Sequence, residues 1–366
     1  MAADAPPIRA LGVMSGTSMD AIDVAALVTD GEDYIQCGTT GMGAYSEGLR
    51  YHLLSLIADP VRAAADPDPA LVRAITDSHC DAVEAFCAAQ GTNPSSYQVI
   101  GFHGQTVFHA PERGITRQLF DGQHAANRLG SIVVCDFRTA DVRAGGQGAP
   151  LAPLYHQARL GEHRSPVMIL NLGGVANVTY VHGSQLLAFD TGPASAMMDD
   201  FVKKRLGFLF DRDGQLAREG QIDHDQIKQW LTHPYFTKTP PKSLDRNTFH
   251  QCMSSVDSLG DADGVATLAA FTIESIVKAL DHVPIPPREW YVCGGGRHNK
   301  YIMENLSARL GTLVEPVEAL GWNGDMLEAE CFAWLAVRSL KALPLSLPTT
   351  TGVPHPLTGG TIHHPA

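Results

Sequence analysis

Alternating apolar and polar positions stand out twice along the chain. In residues 8–28 an apolar run enters a Ser15-Gly16-Thr17-Ser18 turn and leaves as Ile22, Val24, Ala26 and Val28, a period of two that predicts a β-hairpin. In residues 167–181 an apolar run meets Asn171-Leu172-Gly173-Gly174 and continues through Val175, Ala176, Val178 and Tyr180, predicting a second hairpin turned by glycine. Helical spacing follows each hairpin: Leu71, Val72, Ile75, Val83 and Phe86 within 69–89, then Val265, Leu268, Ala269 and Ile273 within 262–280. Each helical stretch precedes an apolar strand that runs into glycine, YQVIGFHGQTV from Tyr97 and WYVCGGGRHNKYI from Trp290. Hairpin, helix and strand therefore occur twice, and the chain reads as a duplicated α/β fold with one mixed sheet in each half.

The Gly/Pro-rich stretch AGGQGAPLAP at 144–153 is the natural joint, with the boundary near Gly148. The expected domains are 1–148 and 149–344, while the Pro- and Thr-dense segment 345–366 either frays or returns to the first domain. A chain of 366 residues suits about two domains, and 44% hydrophobic with 18% charged residues is an ordinary globular balance. The net charge of −12 removes any general attraction to nucleic acid or anionic lipid. No stretch reaches the roughly 18 apolar residues of a membrane span and the first residues carry no secretory pattern, so a cytoplasmic protein is expected. Seven scattered cysteines, an odd number and never spaced CxxC, read as buried thiols and not as a disulfide or zinc framework.

The chemistry concentrates at the glycine turns and strand ends. A hairpin tip of Ser, Gly and Thr can aim backbone N–H groups and hydroxyls at a phosphate, although the same residues also make ordinary turns. Asp20 and Asp23 lie just beyond it, placed either to cap the hairpin or to hold waters of a phosphate-bound Mg²⁺. No Gly-Lys-Ser/Thr and no GxGxxG after a strand is present, which disfavours P-loop and Rossmann sites. Gly294-Gly295-Gly296 would let a flat purine or ribose lie against bare backbone. Asp190, in LLAFDTGP, stands where a strand breaks and is either a general base or a cap for the next helix. In MLEAECFAWLA, Glu328 or Glu330 faces an apolar interior and requires a partner or a function there. His103 and His109 are wrongly spaced for a helical metal pair, and His103 with Gln105 suits contact with a polar ligand such as a sugar.

Taken in order, GVMSGTSMDAIDVA, GFHGQTVFH, DFRTADVRAGGQGAPL, LNLGGVANVT, FDTGP, PPKSLDRNTF, VCGGGRHN and EAECFAWLA resemble the anhydro-N-acetylmuramic acid kinase family across nearly the whole chain. The resemblance implies two RNase H-like, actin-like ATPase domains with an ATP cleft between them. It implies an ATP segment of Gly16, Thr17, Ser18, Met19, Asp20, Ala21, Ile22 and Asp23, faced by Asn171, Gly173 and Gly174, with Gly294, Gly295 and Gly296 near the adenosine. It makes Asp190 the catalytic base, reversing the balance with helix capping, and Glu328 its helper, while His103, Gln105, Arg138 and Asp141 would bind the sugar. ATP and Mg²⁺ are the implied cofactors, the metal held through the phosphates with water bridges to Asp20 or Asp23 and no direct protein ligand. The implied reaction opens the 1,6-anhydro bridge with water and phosphorylates O6, giving N-acetylmuramic acid 6-phosphate in peptidoglycan recycling; the oligomeric state is left open, a homodimer being one candidate. The competing readings are a conventional kinase for a free amino sugar and a non-catalytic ATP-dependent clamp. Three positions depart from the family pattern: Ala21 replaces the usual Gly, and Ala194-Ser195 replace Gly-Asn, which puts nucleotide affinity in question.

Overall fold

The computed structural model describes residues 6–16, 19–65, 67–163, 165–244 and 248–366. Thr17 and Ser18 of the hairpin tip lie outside the described residues. The chain divides into two compact units, Met1–Gly161 with Met326–Ala366, and Glu162–Asp325.

The strands in chain order begin with β1 (Ile8–Ser15), β2 (Ile22–Thr29), β3 (Ile35–Gly43), β4 (Val99–Ala110), β5 (Ile115–Leu119) and β6 (Ile132–Cys135). The second unit holds β7 (Val167–Leu172), β8 (Val175–His182), β9 (Gln185–Pro193), β10 (Glu289–Cys293) and β11 (Val314–Pro316), and β12 (Thr361–His363) closes the chain. In the second unit the sheet order is β11-β10-β7-β8-β9: an antiparallel meander β7-β8-β9, with β10 and β11 added in parallel on the other side of β7. The first unit repeats this order as β6-β4-β1-β2-β3, again a meander with two parallel strands, and adds β5 on β4 and β12 on β6. The duplication expected from the two hairpins is thus present strand for strand.

Period-two alternation on β1 and β4 gives each strand two different faces. Leu11, Val13, Ile100 and Phe102 point into a core with Ile75, Val83 and Phe86 of the Pro69–Ala89 helix. The opposite face carries Gly12 and Gly101, against which the Leu327–Leu340 helix lies backbone to backbone. A Cβ on Gly12 would collide with the Ala329 carbonyl and the Ala333 nitrogen, and one on Gly101 with the Phe332 carbonyl. Helix backbone cannot yield as a flexible side chain does, so Gly12→Ala is expected to cost about 1–3 kcal/mol, read as a lower urea midpoint at unchanged slope. A midpoint equal to wild type would show that the helix can move away freely.

In the second unit Leu170, Leu172, Val178 and Phe189 of the sheet bury against Phe201, Val265, Leu268 and Ile302. The helix expected over 262–280 runs Asp261–Val277, and Lys278–His282 tightens into a 3-10 turn. Among the described residues no helix is long and apolar enough to cross a membrane.

Three expectations need correction. The unit limits fall after Gly161 and Asp325, not at 148 and 344. Gly148 is held inside the first unit, its N–H donating to Asp141 at 2.6 Å and its carbonyl accepting from Arg138 at 2.7 Å. The Pro153–Leu160 helix is tied to the Leu327–Leu340 helix by Tyr155 and Arg159, which both bond Glu330. The fraying alternative for 345–366 is overturned at its end, where His363 sits opposite Val133 in the β12–β6 ladder. Of the cysteines expected to be buried, Cys37 is exposed.

Candidate active site

In the first unit, β1 and β4 are parallel and Ser15 lies level with Gln105, so the hairpin tip and the HGQT segment emerge side by side. The tip is braced from below. Ser15 Oγ donates to the Ala21 carbonyl at 3.1 Å, Met19 N–H to the Gly16 carbonyl at 3.1 Å, and Gln105 Nε2 to the same carbonyl at 3.3 Å. Tyr45 Oη donates to Gln105 Oε1 at 3.0 Å. Gln105 is fully buried, so it positions the turn and does not reach a sugar. Ile22 is also fully buried, in the core with Val24, which leaves only its backbone near a ligand. The left-handed residue here is Met19, at φ 55°, while Ala21 lies outside that region, and its methyl therefore adds no backbone strain. Asp20 is exposed and pairs with Arg50 at 3.1 Å, and Asp23 is half-buried on β2.

Further along the same unit, His103 Nε2 accepts from Arg138 Nε at 3.0 Å. Burial, and next the Arg138 charge, hold the His103 imidazole well below its usual range, so it is neutral and serves as an acceptor. Phe332 packs on His103 with ring centres 4.7 Å apart, and Glu328 stands one turn earlier on the same helix. Crowding pushes the Glu328 carboxyl above its ordinary value while Arg138 pulls it back. Because the Glu328 side chain is open to water, that lift is smaller than a sealed carboxylate would show. Asp141 is corrected from sugar contact to structural anchor: it is buried, one oxygen taking Gly148 N–H and the other the Thr351 hydroxyl at 2.6 Å. Glu330 is the inward acid, bonded to Tyr155 Oη at 2.9 Å and paired with Arg159 at 2.8 Å.

In the second unit the same geometry brings two glycine turns together. Cys293 of β10 lies level with Asn171 of β7, so NLGG and GGG leave adjacent parallel strands at their carboxyl ends, where α/β sheets bind ligands. Gly294 has φ 78°, and a Cβ there would strike Asn171 Oδ1 and lie 2.7 Å from the Leu172 carbonyl. A Cβ on Gly296 would sit 2.7 Å from Leu172 Cβ and 3.0 Å from Ser195 Oγ. These two glycines are thus required by strand packing, and within the triplet it is Gly295, with open space beside it, that offers bare backbone to a ligand. Gly173 is similarly open, and its carbonyl accepts from Ser195 N–H at 3.0 Å.

Asp190 does not end its strand. β9 continues to Pro193, and Asp190 faces Asn177 beside a register shift between Ala176 and Asn177, an irregularity of the kind that re-aims a side chain. The following helix, Ser195–Leu206, has no side-chain cap, so the capping role is absent. Three bonds fix Asp190: its N–H donates to the Lys242 carbonyl at 3.0 Å, its carbonyl accepts from Tyr235 Oη at 2.6 Å, and its Oδ2 accepts from Leu244 N–H at 2.7 Å. Burial raises its carboxyl to about 7, against the pull of the Leu244 N–H. A carboxylate poised near neutrality on a rigid strand is suited to proton abstraction. Tyr235, Lys242 and Leu244 were not among the expected site residues, although the last two lie in the PPKSLDRNTF motif, where a lysine among prolines and an apolar residue was the available signal.

Among the described residues no group of three His, Cys, Asp or Glu side chains is arranged to hold a metal ion.

The family model described as anhydro-N-acetylmuramic acid kinase matches residues 8–365. The protein of that name from Rhodospirillum rubrum is 49% identical over 356 residues, covering 97% of this chain and 94% of its own. The one from Acidiphilium cryptum is 46% identical over 363 residues, covering 98% and 99%. In fold, the chain is similar to component A of the Acidaminococcus fermentans (R)-2-hydroxyglutaryl-CoA dehydratase, with a TM-score of 0.50 at 10% identity over 91% of this chain and 99% of that one. With a match that spans the described strands of both units and relatives close to half identical, the chain belongs to the anhydro-N-acetylmuramic acid kinase family.

Proposed function

We propose that this chain phosphorylates anhydro-N-acetylmuramic acid at O6 with ATP while water opens the 1,6-anhydro bridge, yielding N-acetylmuramic acid 6-phosphate and ADP. The observation that carries the reading is Asp190: a strand-mounted residue whose backbone is held by two hydrogen bonds and whose carboxylate, held by a third, is raised to about 7. Asp190 takes a proton from water as the water oxygen bonds to C1. The C1–O6 bond breaks, and the released O6 bonds to the γ-phosphorus as the bridge to the β-phosphate breaks. The strained bicyclic ring therefore supplies its own phosphoryl acceptor, and base catalysis is needed only once.

Within the first unit, Arg138, His103 and Glu328 form the polar cluster suited to hydroxyls and a carboxylate of the sugar. His103 keeps the Arg138 guanidinium aimed by accepting from its Nε. The half-buried turn at Gly16 is suited to offering backbone N–H donors to phosphate, and Gly295 in the second unit offers a surface for the nucleoside. Asp20, exposed and on the phosphate turn, fits an outer-sphere role toward Mg²⁺ carried on the nucleotide, with Asp23 as the second candidate. When bound, that ion neutralises charge on the transferring phosphoryl group. The reading includes a cytoplasmic setting and a homodimer.

The test is an ADP-coupled assay comparing the anhydro sugar with its reduced, ring-opened counterpart. ADP release that requires the intact anhydro ring supports the proposal. Equal rates with both favour a conventional amino-sugar kinase, and slow ADP release without any sugar favours a clamp.

A further inference from the structure

Lys242 is nearly sealed, at 3% exposure, yet no carboxylate among the described residues forms an ion pair with it. A buried cation without a counter-ion is costly, and its retention calls for an explanation. The ammonium donates to the Tyr235 carbonyl at 3.1 Å and lies 3.3 Å from His282 Nε2, over the rings of Tyr235 and Phe189. The space lined by Phe189, Thr191, Phe236, Lys242, Ser275 and His282 admits no water. The ammonium's carbonyl partner, Tyr235, and the backbone of the lysine's own segment both lead back to Asp190. Tyr235 Oη donates to the Asp190 carbonyl, the Lys242 carbonyl accepts Asp190 N–H, and Leu244, two residues on, donates its N–H to the carboxylate.

We infer that Lys242 is a positioning residue for the catalytic base: its ammonium clamps residues 242–244 against Tyr235 and β9, and thereby holds the Leu244 N–H on the Asp190 carboxylate. This rests on the assignment of Asp190 as base given above. The clamp is a charge-assisted bond in a dry site, where it resists exchange with water better than a neutral one. Its surroundings are mixed in sign. Lys238 and Lys278 disfavour the ammonium, Asp281 favours it, His282 is a neutral neighbour, and burial, the largest influence, brings Lys242 down to about 8. Below that value the clamp is charged. At Asp190 the Leu244 N–H is the group that favours ionisation.

Lys242→Met keeps the length and apolar contacts of the stem and removes the donor. Without the clamp, the Leu244 N–H drifts from the carboxylate and Asp190 becomes harder to ionise. The acid limb of kcat/KM is then expected to move upward by about half to one pH unit, with kcat down about tenfold and the KM for ATP unchanged. ¹³C NMR of Asp-labelled protein, with the Asp190 carboxyl assigned by its loss in Asp190→Asn, reads the same shift without turnover. Tyr235→Phe, which loosens the same triangle by removing one hydroxyl, should shift the limb in the same direction by less, and it decides the matter if Lys242→Met does not fold. A drop in activity with neither the limb nor the Asp190 resonance moving would reduce Lys242 to a packing role and overturn the inference. Full turnover by Asp190→Asn would instead overturn the assignment of the base, whatever Lys242 does.

Discussion

Asp190→Asn is expected to lower turnover of the anhydro sugar by about 10²–10⁴-fold, the range supplied by a positioned general base, while ATP affinity changes by less than about twofold. The amide keeps the shape and still accepts from Leu244 N–H, so only the basic oxygen is lost. In the wild type, activity should rise with pH through about 7, because the base works only when ionised. The sign for stability is opposite. The folded state holds the Asp190 proton more tightly than the unfolded chain does, so between the ordinary aspartate value and about 7 the native state binds more protons, and stability falls as pH rises through that window. The asparagine variant never ionises and should therefore melt higher than wild type above pH 7. An inactive variant that is also more stable is the combination expected of a group held for chemistry at a cost to the fold. Retained turnover would remove Asp190 from the reaction.

The second large effect concerns stability. Glu330→Ala is expected to cost about 3–5 kcal/mol, because it removes the carboxylate that pairs with Arg159 and accepts from the Tyr155 hydroxyl in a nearly closed site. The Glu330 and Arg159 side chains are 3% and 11% exposed, so water replaces little of what is lost. Urea unfolding at constant slope reads the change, and pairing Glu330→Gln with Arg159→Met should recover part of it. A loss below about 1 kcal/mol would mean that the pair behaves like a surface salt bridge. Glu328, two residues earlier and open to solvent, gives the contrast: Glu328→Gln should leave stability within about 0.5 kcal/mol and act on turnover.

The sheet meanders were legible because β1 and β7 are apolar runs that end at glycine turns, and β2 and β8 carry the apolar pattern on from those turns. β3 was not, since IQCGTTGMG is largely exposed and its glycines pack under side chains of neighbouring elements, Gly41 against Phe86 and Gly43 against Ala82, leaving no periodic signal. β12 is three residues long and is fixed by its ladder with β6 and by packing near Gly122, contacts between residues far apart in sequence. The same limit applies at the site. Asp190 and the glycine turns stand out by residue type and local order, so pattern and family resemblance could single them out as candidates. Gln105 and Asp141 share that polar character, but their hydrogen bonds are consumed within the first unit by Gly16, Gly148 and Thr351, which only three-dimensional contacts reveal. Lys242 was hidden for a related reason, because a lysine in a Pro-rich loop reads as solvated until its burial is known.

In the proposed reaction Asp190 directs water onto C1 as O6 leaves to accept the phosphoryl group. A reaction run in ¹⁸O-labelled water, with the product analysed by mass spectrometry and ¹³C NMR, tests it most directly. One solvent oxygen is expected on C1 of the 6-phosphorylated sugar and none in the phosphate. Product with no label on C1, or with solvent oxygen in the phosphoryl group, would contradict it.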